Sequence, residues 1–590
     1  MLAKITIALY LLLWLVLPPA ALAQQANCEN SPTSRGCWGE YNISTDYHTV
    51  IPNTGVTREY WLVAENHTLA PDGHERQVLV FNGTLPGPLI EANWGDELVI
   101  HVTNALEHNG TAIHWHGIWQ RNSNHHDGVP GVTQCPIPPT STQTYRFRAT
   151  QYGTSWYHSH FSLQMADGLY GPILIHGPNT ANYDVDLGPI FITDWYHKSA
   201  FILWEEHTRY GGVPVRANAV PATGLLNGTN LNFNPCQAAA GSPTAAACTG
   251  TGRRFEVTVE RGKKYLLRLI DSSVDGWMKF NIDGHRLTVV AADFVPIVPY
   301  ETEAVILTSG QRYDVIFEAS ADEDVGGYWM RAIFQTACNG LEIENADIRG
   351  IVRYAGAKKG GETSTSDPTT TQWESITNSC GDEPYDKLVP WVRKTVGRAA
   401  QQESLKVGWF YETDLVFHWT LNSKDLLIDW SQPTDLRIWR NESVFPSRYN
   451  VFEIEGRDRW TYWVIQDLGF VNAYHPFHLH GHDFFILAEG RGLYTPLVRL
   501  NRDNPPRRDT ATMAGSGYLV IAFESDNPGS WLMHCHIAWH ASQGLALQFV
   551  ERESEIRAVI EPGMNEFEDI CEEWNEYWED AVYHQDDSGI

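Results

Sequence analysis

The 590-residue chain contains 24 histidines, which at random spacing would give about one His-x-His pair. Five such pairs occur, beginning at His114, His158, His478, His480 and His534. In a strand, residues i and i+2 face the same way, so each pair offers two imidazoles side by side, an arrangement suited to a multinuclear metal site between two sheets. One pair alone reads as a solvated strand; four pairs in repeating order do not. His534-Cys535-His536 carries the most information. Alternation sends its two imidazoles to one face and the thiolate to the other, so one tripeptide can serve two metal sites. A thiolate joined by two imidazoles, with a weak axial ligand or none, is the blue-copper electron-transfer site, and His475 and His540 are the imidazoles available to Cys535. Zinc competes for such ligands, but a closed structural zinc site needs only four of them in one tetrahedron.

The elements that must hold these side chains are strands. Runs such as Glu97 to Thr103, Phe255 to Val259 and Tyr313 to Phe317 alternate and are punctuated by Gly, Pro and Asn, the rhythm of β-sandwiches. The chain also repeats itself: His114-Trp-His116-Gly117 returns as His478-Leu-His480-Gly481, and Ser155-Trp-Tyr-His158-Ser-His160 is matched by Ser530 to His536. Two homologous domains therefore lie at the two ends. Between them, residues 180–355 keep the strand rhythm without a His-x-His pair, which predicts a middle domain with no metal site of its own. Gly356 to Thr371 is poor in apolar residues and reads as an exposed linker.

Composition narrows the partners and the compartment. With 43% hydrophobic and 12% aromatic residues, including 23 Trp, the chain is rich enough to fold throughout most of its length; its length fits three or four domains. A net charge of −29 repels phosphate backbones and anionic lipid heads, which excludes nucleic acid and membrane surfaces as partners. Lys4, the apolar run Ile5 to Leu17 and the small-residue site Ala21-Leu22-Ala23 predict a signal peptide over residues 1–23, because the run is shorter than the roughly 20 residues a span needs. No later stretch reaches that length, so a secreted, extracellular, unanchored protein is expected. Six Asn-x-Ser/Thr sequons, at Asn42, Asn66, Asn82, Asn109, Asn227 and Asn441, predict N-linked glycans. Nine cysteines in an oxidising compartment leave at least one unpaired. Cys28/Cys37 and Cys236/Cys248 are close enough along the chain to close local loops.

Four segments, HWHG (114–117), HSH (158–160), HPFHLHGH (475–482) and HCHIAWH (534–540), resemble the copper-binding segments of the multicopper oxidases, and among them the laccases of ascomycete fungi. The resemblance covers nearly the whole mature chain. It implies an all-β fold of three cupredoxin-like, Greek-key β-sandwich domains, with divisions at 24–179, 180–372 and 373–572, the second walling the substrate pocket, and a C-terminal tail at 573–590. It implies four copper ions. A type 1 ion would be held by His475, Cys535 and His540, and a type 2 ion by His114 and His478. A type 3 pair would be held by His116, His158 and His536 on one ion and by His160, His480 and His534 on the other. It further implies a monomer in which phenols and aromatic amines give up single electrons at His540, the exposed edge of the type 1 site, and electrons cross Cys535 to His534 and His536. Dioxygen would then be reduced to water.

At the axial position of the type 1 site stands Leu545, which cannot ligate, so a medium-to-high reduction potential is expected. Asp275 matches the family's pocket acid, a base for a phenol proton, although a loop aspartate near a strand start reads the same way. Asp127 matches the acid outside the type 2 ion, against a simple Asp-Gly turn. Ala538 occupies a position where fungal ferroxidases carry an acid. The ending Asp587-Ser-Gly-Ile590 resembles the plug of ascomycete laccases, stopping at the plug with no cleavable extension, so a terminal carboxylate buried near the type 3 ions is expected. The resemblance also implies disulfides Cys28–Cys37, Cys135–Cys571 and Cys338–Cys380, leaving Cys236–Cys248 by elimination. Two alternatives remain at this point: a ferroxidase of the same fold, which usually carries a membrane anchor and an acid at position 538, and a non-catalytic copper-binding protein.

Overall fold

A computed structural model describes residues 28–208, 219–231, 252–320, 325–356, 366–412, 416–442, 444–469 and 472–590. The expected signal peptide, the Cys236/Cys248 pair and most of the expected linker lie outside the described residues.

Among the described residues strands dominate, and apart from a two-stranded ribbon of Cys37–Trp38 and Tyr41–Asn42 they form three pairs of sheets in chain order. The first pair has four strands in each sheet; the second and the third each combine a six-stranded with a five-stranded sheet. Alternation explains how one face of each is buried: along Glu97–Asn104, Leu98, Ile100 and Val102 are buried while Glu97, Val99, His101 and Thr103 stay at least partly exposed. One topological signature recurs in all three units. Parallel pairs join Thr57–Leu69 to Glu97–Asn104, Val185–Trp195 to Lys264–Asp271, and Gln401–Tyr411 to Trp460–Asp467. A second parallel pair joins Ile90–Asn93 to Tyr170–His176, Glu256–Val259 to Arg349–Tyr354, and Val451–Ile454 to Ala546–Glu551. Parallel neighbours need a crossover connection, so each unit is a sandwich of the Greek-key kind rather than a meander.

The histidine segments sit at equivalent places in the first and third units. Ile113–Trp115 pairs antiparallel with Gly153–Ser159 so that His114 lies opposite His158. His475–Leu479 pairs antiparallel with Gly529–Cys535 so that His478 lies opposite His534. These two seams face each other, with ring centroids of His114 and His480 only 3.8 Å apart.

Helices are few and concentrated near the C-terminus. Met564–Glu579 buries Met564, Phe567, Ile570, Cys571 and Trp574 along one face, the spacing of an amphipathic helix, and its side chains share a core with Ile113, Trp115 and Ile137 of the first unit. This helix runs through position 572, where the sequence reading divided body from tail. Disulfides join Cys28 to Cys37, Cys135 to Cys571 and Cys338 to Cys380, and Cys535 is free and buried.

Candidate metal centres

Cys535 ends the strand Gly529–Cys535, and alternation separates its neighbours as expected. Its Sγ faces His475 Nδ1 at 3.6 Å and His540 Nδ1 at 3.5 Å, and those two nitrogens are 3.1 Å apart. His540 reaches this position because the short helix Ala538–Ser542 follows the strand directly. Leu545 is fully buried in the same apolar cluster as Cys535, and its carbonyl accepts the Cys535 N–H at 3.0 Å. Burial pushes the Cys535 thiol well up and pushes the imidazoles down, His475 to about 3. One feature departs from the sequence reading. His540 is 3% exposed rather than an open edge, because the Trp419 ring packs against it at 4.7 Å between centroids.

On the other face of the same strand, His534 and His536 join a buried cluster of eight imidazoles. The ligand atoms of His160, His480 and His534 all lie within 4.8 Å of one another, as do those of His114, His478 and His480. The rings of His116, His158 and His536 are 5.1, 5.5 and 5.7 Å apart, and His114 and His478 are 5.7 Å apart. Burial, helped by mutual repulsion, holds His116, His158, His160, His478, His480 and His536 well below the ordinary histidine range. All six are therefore neutral, the form that ligates.

Hydrogen bonds behind the rings fix which nitrogen points inward. His114 Nδ1 donates to the Asp127 carbonyl at 2.9 Å, His158 Nδ1 to the Ser159 carbonyl at 3.0 Å, and His478 Nδ1 to the Asp509 carbonyl at 2.8 Å. His480 Nδ1 donates to Asp127 Oδ2 at 2.8 Å, and His536 Nδ1 meets Ser309 Oγ at 2.9 Å. In consequence, the Nε2 atoms of His114, His158, His478, His480 and His536 are buried without a hydrogen-bond partner. His116 is turned the other way, Nε2 toward Asp509 at 3.2 Å and Nδ1 orphaned. Buried polar atoms are rarely left unsatisfied, and so many lone pairs converging on one cavity fit metal ions.

Both predicted acids are buried. Asp127 sits under the cluster, and its Asp-Gly turn is real as well: Gly128 has φ +85°, and a Cβ there would strike the Ile113 carbonyl at 1.8 Å. Asp275 lies in the loop before Trp277–Ile282, beside the Cys535 site, its carboxyl raised to about 8 by burial and by Asp194. Sequence reasoning missed Asp509, which holds His116 and His478 and is clamped by Arg312 at 2.6 Å, and it missed Ser309. The terminal residues are packed, not frayed: Ser588 and Ile590 are buried, Trp430 Nε1 donates to the Gly589 carbonyl at 3.0 Å, and Ser162 bonds Asp587 two residues beyond His160. No described helix is long and apolar enough to cross a membrane.

Family models described as multicopper oxidase match residues 63–180, 186–357 and 421–555. The chain is 50% identical to Laccase-2 of Botryotinia fuckeliana over 96% of its own length and 94% of the relative's. It is 47% identical to Laccase-1 of the same organism, over 97% and 95%. The crystal structure of a laccase from Botrytis aclada superposes with a TM-score of 0.88 at 49% identity, covering 95% of this chain and 100% of the other.

Proposed function

The chain belongs to the multicopper oxidases as a laccase-type, copper-dependent oxidoreductase, and on that premise we propose that it oxidises phenols and aromatic amines by single electrons and reduces dioxygen to water. The observation that carries this reading is the two-sided strand end, with a buried thiol among His475 and His540 on one face and His534 and His536 on the other. A copper carrier has no use for such a junction.

In this reading His475, Cys535 and His540 would hold a type 1 ion, with the buried Leu545 nearby offering no ligand. His114 and His478 would hold a type 2 ion; His160, His480 and His534, whose ligand atoms cluster, and His116, His158 and His536, whose rings lie within 5.7 Å, would hold a type 3 pair. Copper bound there supplies one-electron oxidation at the thiolate site and four-electron reduction of dioxygen at the cluster. The chain's own residues do the rest. Cys535 is covalently continuous with His534 and His536, a through-bond route between the two sites. Leu545, buried and without a ligating atom, would keep water and a further donor from the thiolate site, which would favour the reduced ion and raise the potential. In its ionised form Asp275 takes the phenol proton as the electron leaves, its raised pKa making that carboxylate a stronger base, and Asp127, bonded to His480, holds that ring and hands protons inward.

We further propose domain divisions at 179/180 and 372/373, a middle domain that walls the pocket, and a tail after the helix Met564–Glu579 whose last residues plug the cluster's channel. The protein is secreted after loss of residues 1–23, is glycosylated and is a monomer with neither nucleic acid nor membrane as partner. The test is copper-loaded protein given a phenol under air. An intense blue Cu–thiolate band together with one dioxygen consumed per four electrons is expected; colour without oxygen uptake would sink the enzyme reading. Ferrous iron outcompeting every phenol in kcat/KM would turn it toward a ferroxidase.

A further inference from the structure

The loop that carries Asp275 is held by a group the reaction does not use. Asp194, next to the end of the strand Val185–Trp195, is 1% exposed. Its Oδ1 accepts the Val274 N–H at 2.7 Å, and its Oδ2 accepts the Asp275 N–H at 3.0 Å and the Gly276 N–H at 2.9 Å. Three consecutive backbone donors converging on one buried carboxylate are charge-assisted bonds, and they fix the loop's course residue by residue. The loop's far side is anchored as well: the Val274 carbonyl accepts the Ala538 N–H at 3.0 Å, and Ala538 opens the helix that carries His540. A continuous line of bonds thus runs from Asp194 through the loop to the type 1 ligand.

Position 276 fits the same arrangement. A Cβ on Gly276 would lie 2.9 Å from the Phe334 ring, which would have to move, and 3.2 Å from Asp194 Oδ2, which would be pressed back by a few tenths of an ångström. The charge has a second effect, for Asp194 adds to burial in raising the Asp275 carboxyl.

We propose that Asp194 is the positioning residue of the substrate pocket: its carboxylate seats Val274-Asp275-Gly276 against Ala538 and so sets where Asp275 stands relative to His540. This rests on the reading of Asp275 as the substrate's proton acceptor. A positioning carboxylate of this kind affects proton-coupled donors much more than simple electron donors.

The test uses copper-loaded Asp194→Asn, Gly276→Ala and Asp275→Asn, each compared with the native protein. Phenol kcat/KM across pH, ferrocyanide kcat/KM and the electron paramagnetic resonance of the type 1 ion are read. For Asp194→Asn the expected result is a roughly tenfold to hundredfold fall in phenol kcat/KM, with a raised KM and a displaced pH profile. Ferrocyanide oxidation should fall far less than phenol oxidation, and the type 1 signal should shift as the Val274–Ala538 bond relaxes. Gly276→Ala, which displaces the carboxylate from outside, should move the same readouts in the same direction and stands in should Asp194→Asn fail to fold. Asp275→Asn should lower phenol kcat/KM and leave the type 1 signal in place. A native phenol pH profile and type 1 signal in both loop variants, with Asp275→Asn impaired, overturns the proposal. A shifted type 1 signal in the loop variants with Asp275→Asn silent supports the positioning and removes Asp275 from the reaction instead.

Discussion

Ser159 and Cys535 occupy the same place in two copies of one unit, each between two cluster histidines and each turned to the opposite face of its strand end. Behind Ser159 lie neutral hydrogen-bonding groups: its Oγ donates to Gln164 Oε1 at 2.7 Å, which also accepts from Thr111 at 2.8 Å. Behind Cys535 lie His475, His540, Leu545 and the Trp419 ring. Strand alternation supplies the outward position in both copies; the surroundings decide whether it meets a hydrogen-bonding pocket or a cluster of donors able to hold a metal. Metal chemistry here is a property of the two sheets meeting the strand end, not of the His-x-His pattern alone.

The sharpest way to break this comparison is Cys535→Ser, which makes the third unit imitate the first. It should abolish the blue band and leave no measurable turnover, while the cluster histidines still take up copper, as metal analysis would record. The converse, Ser159→Cys, should create no second blue band. Next in size is Asp127→Asn, which loosens His480 at the cluster alone: copper affinity at that site or turnover should fall about 10- to 100-fold, with the blue band kept.

The third contrast is electrostatic. Asp275, raised from 3.8 to about 8, stands beside the Cys535 site. An acid whose folded pKa exceeds its unfolded value binds more protons when folded across the window between them. Stability from this group therefore declines as pH rises from about 4 toward about 8. In copper-free protein, Asp275→Asn should flatten the fall of Tm over that window; an unchanged slope would remove the group from the balance. Smaller again, Leu545→Met should lower the type 1 potential and slow phenol oxidation modestly, by restoring a soft axial donor. Smallest, Ser159→Ala should cost about 1 kcal/mol through lost hydrogen bonds and leave both metal signatures native.

The clustering of the histidines was legible because their spacing is local: His-x-His and His-Cys-His are short enough for strand periodicity to put the rings of a pair on one face. The sandwich fold was legible for the same reason, from alternation along runs such as Glu97–Asn104. Asp509 was not. Its contact with His116 spans 393 positions, and nothing in Arg508-Asp509-Thr510 differs from an ordinary polar stretch. Asp194 and Ser309 were hidden likewise, since each acts on a segment brought up by folding. The covering of His540 depends on Trp419, 121 positions away, and the Asp127 reading needed the fold to place His480 against it across 353 positions.

The Cys135–Cys571 bond spans 436 positions and fastens the first unit to the C-terminal helix. Covalently, everything between those two cysteines is a closed ring. A protease that cuts once anywhere in the middle unit would open the ring without releasing either end, so the two halves of the oxygen-reducing centre would stay tethered. Such a nicked molecule would migrate as one species until a reductant is added, and only then part into two.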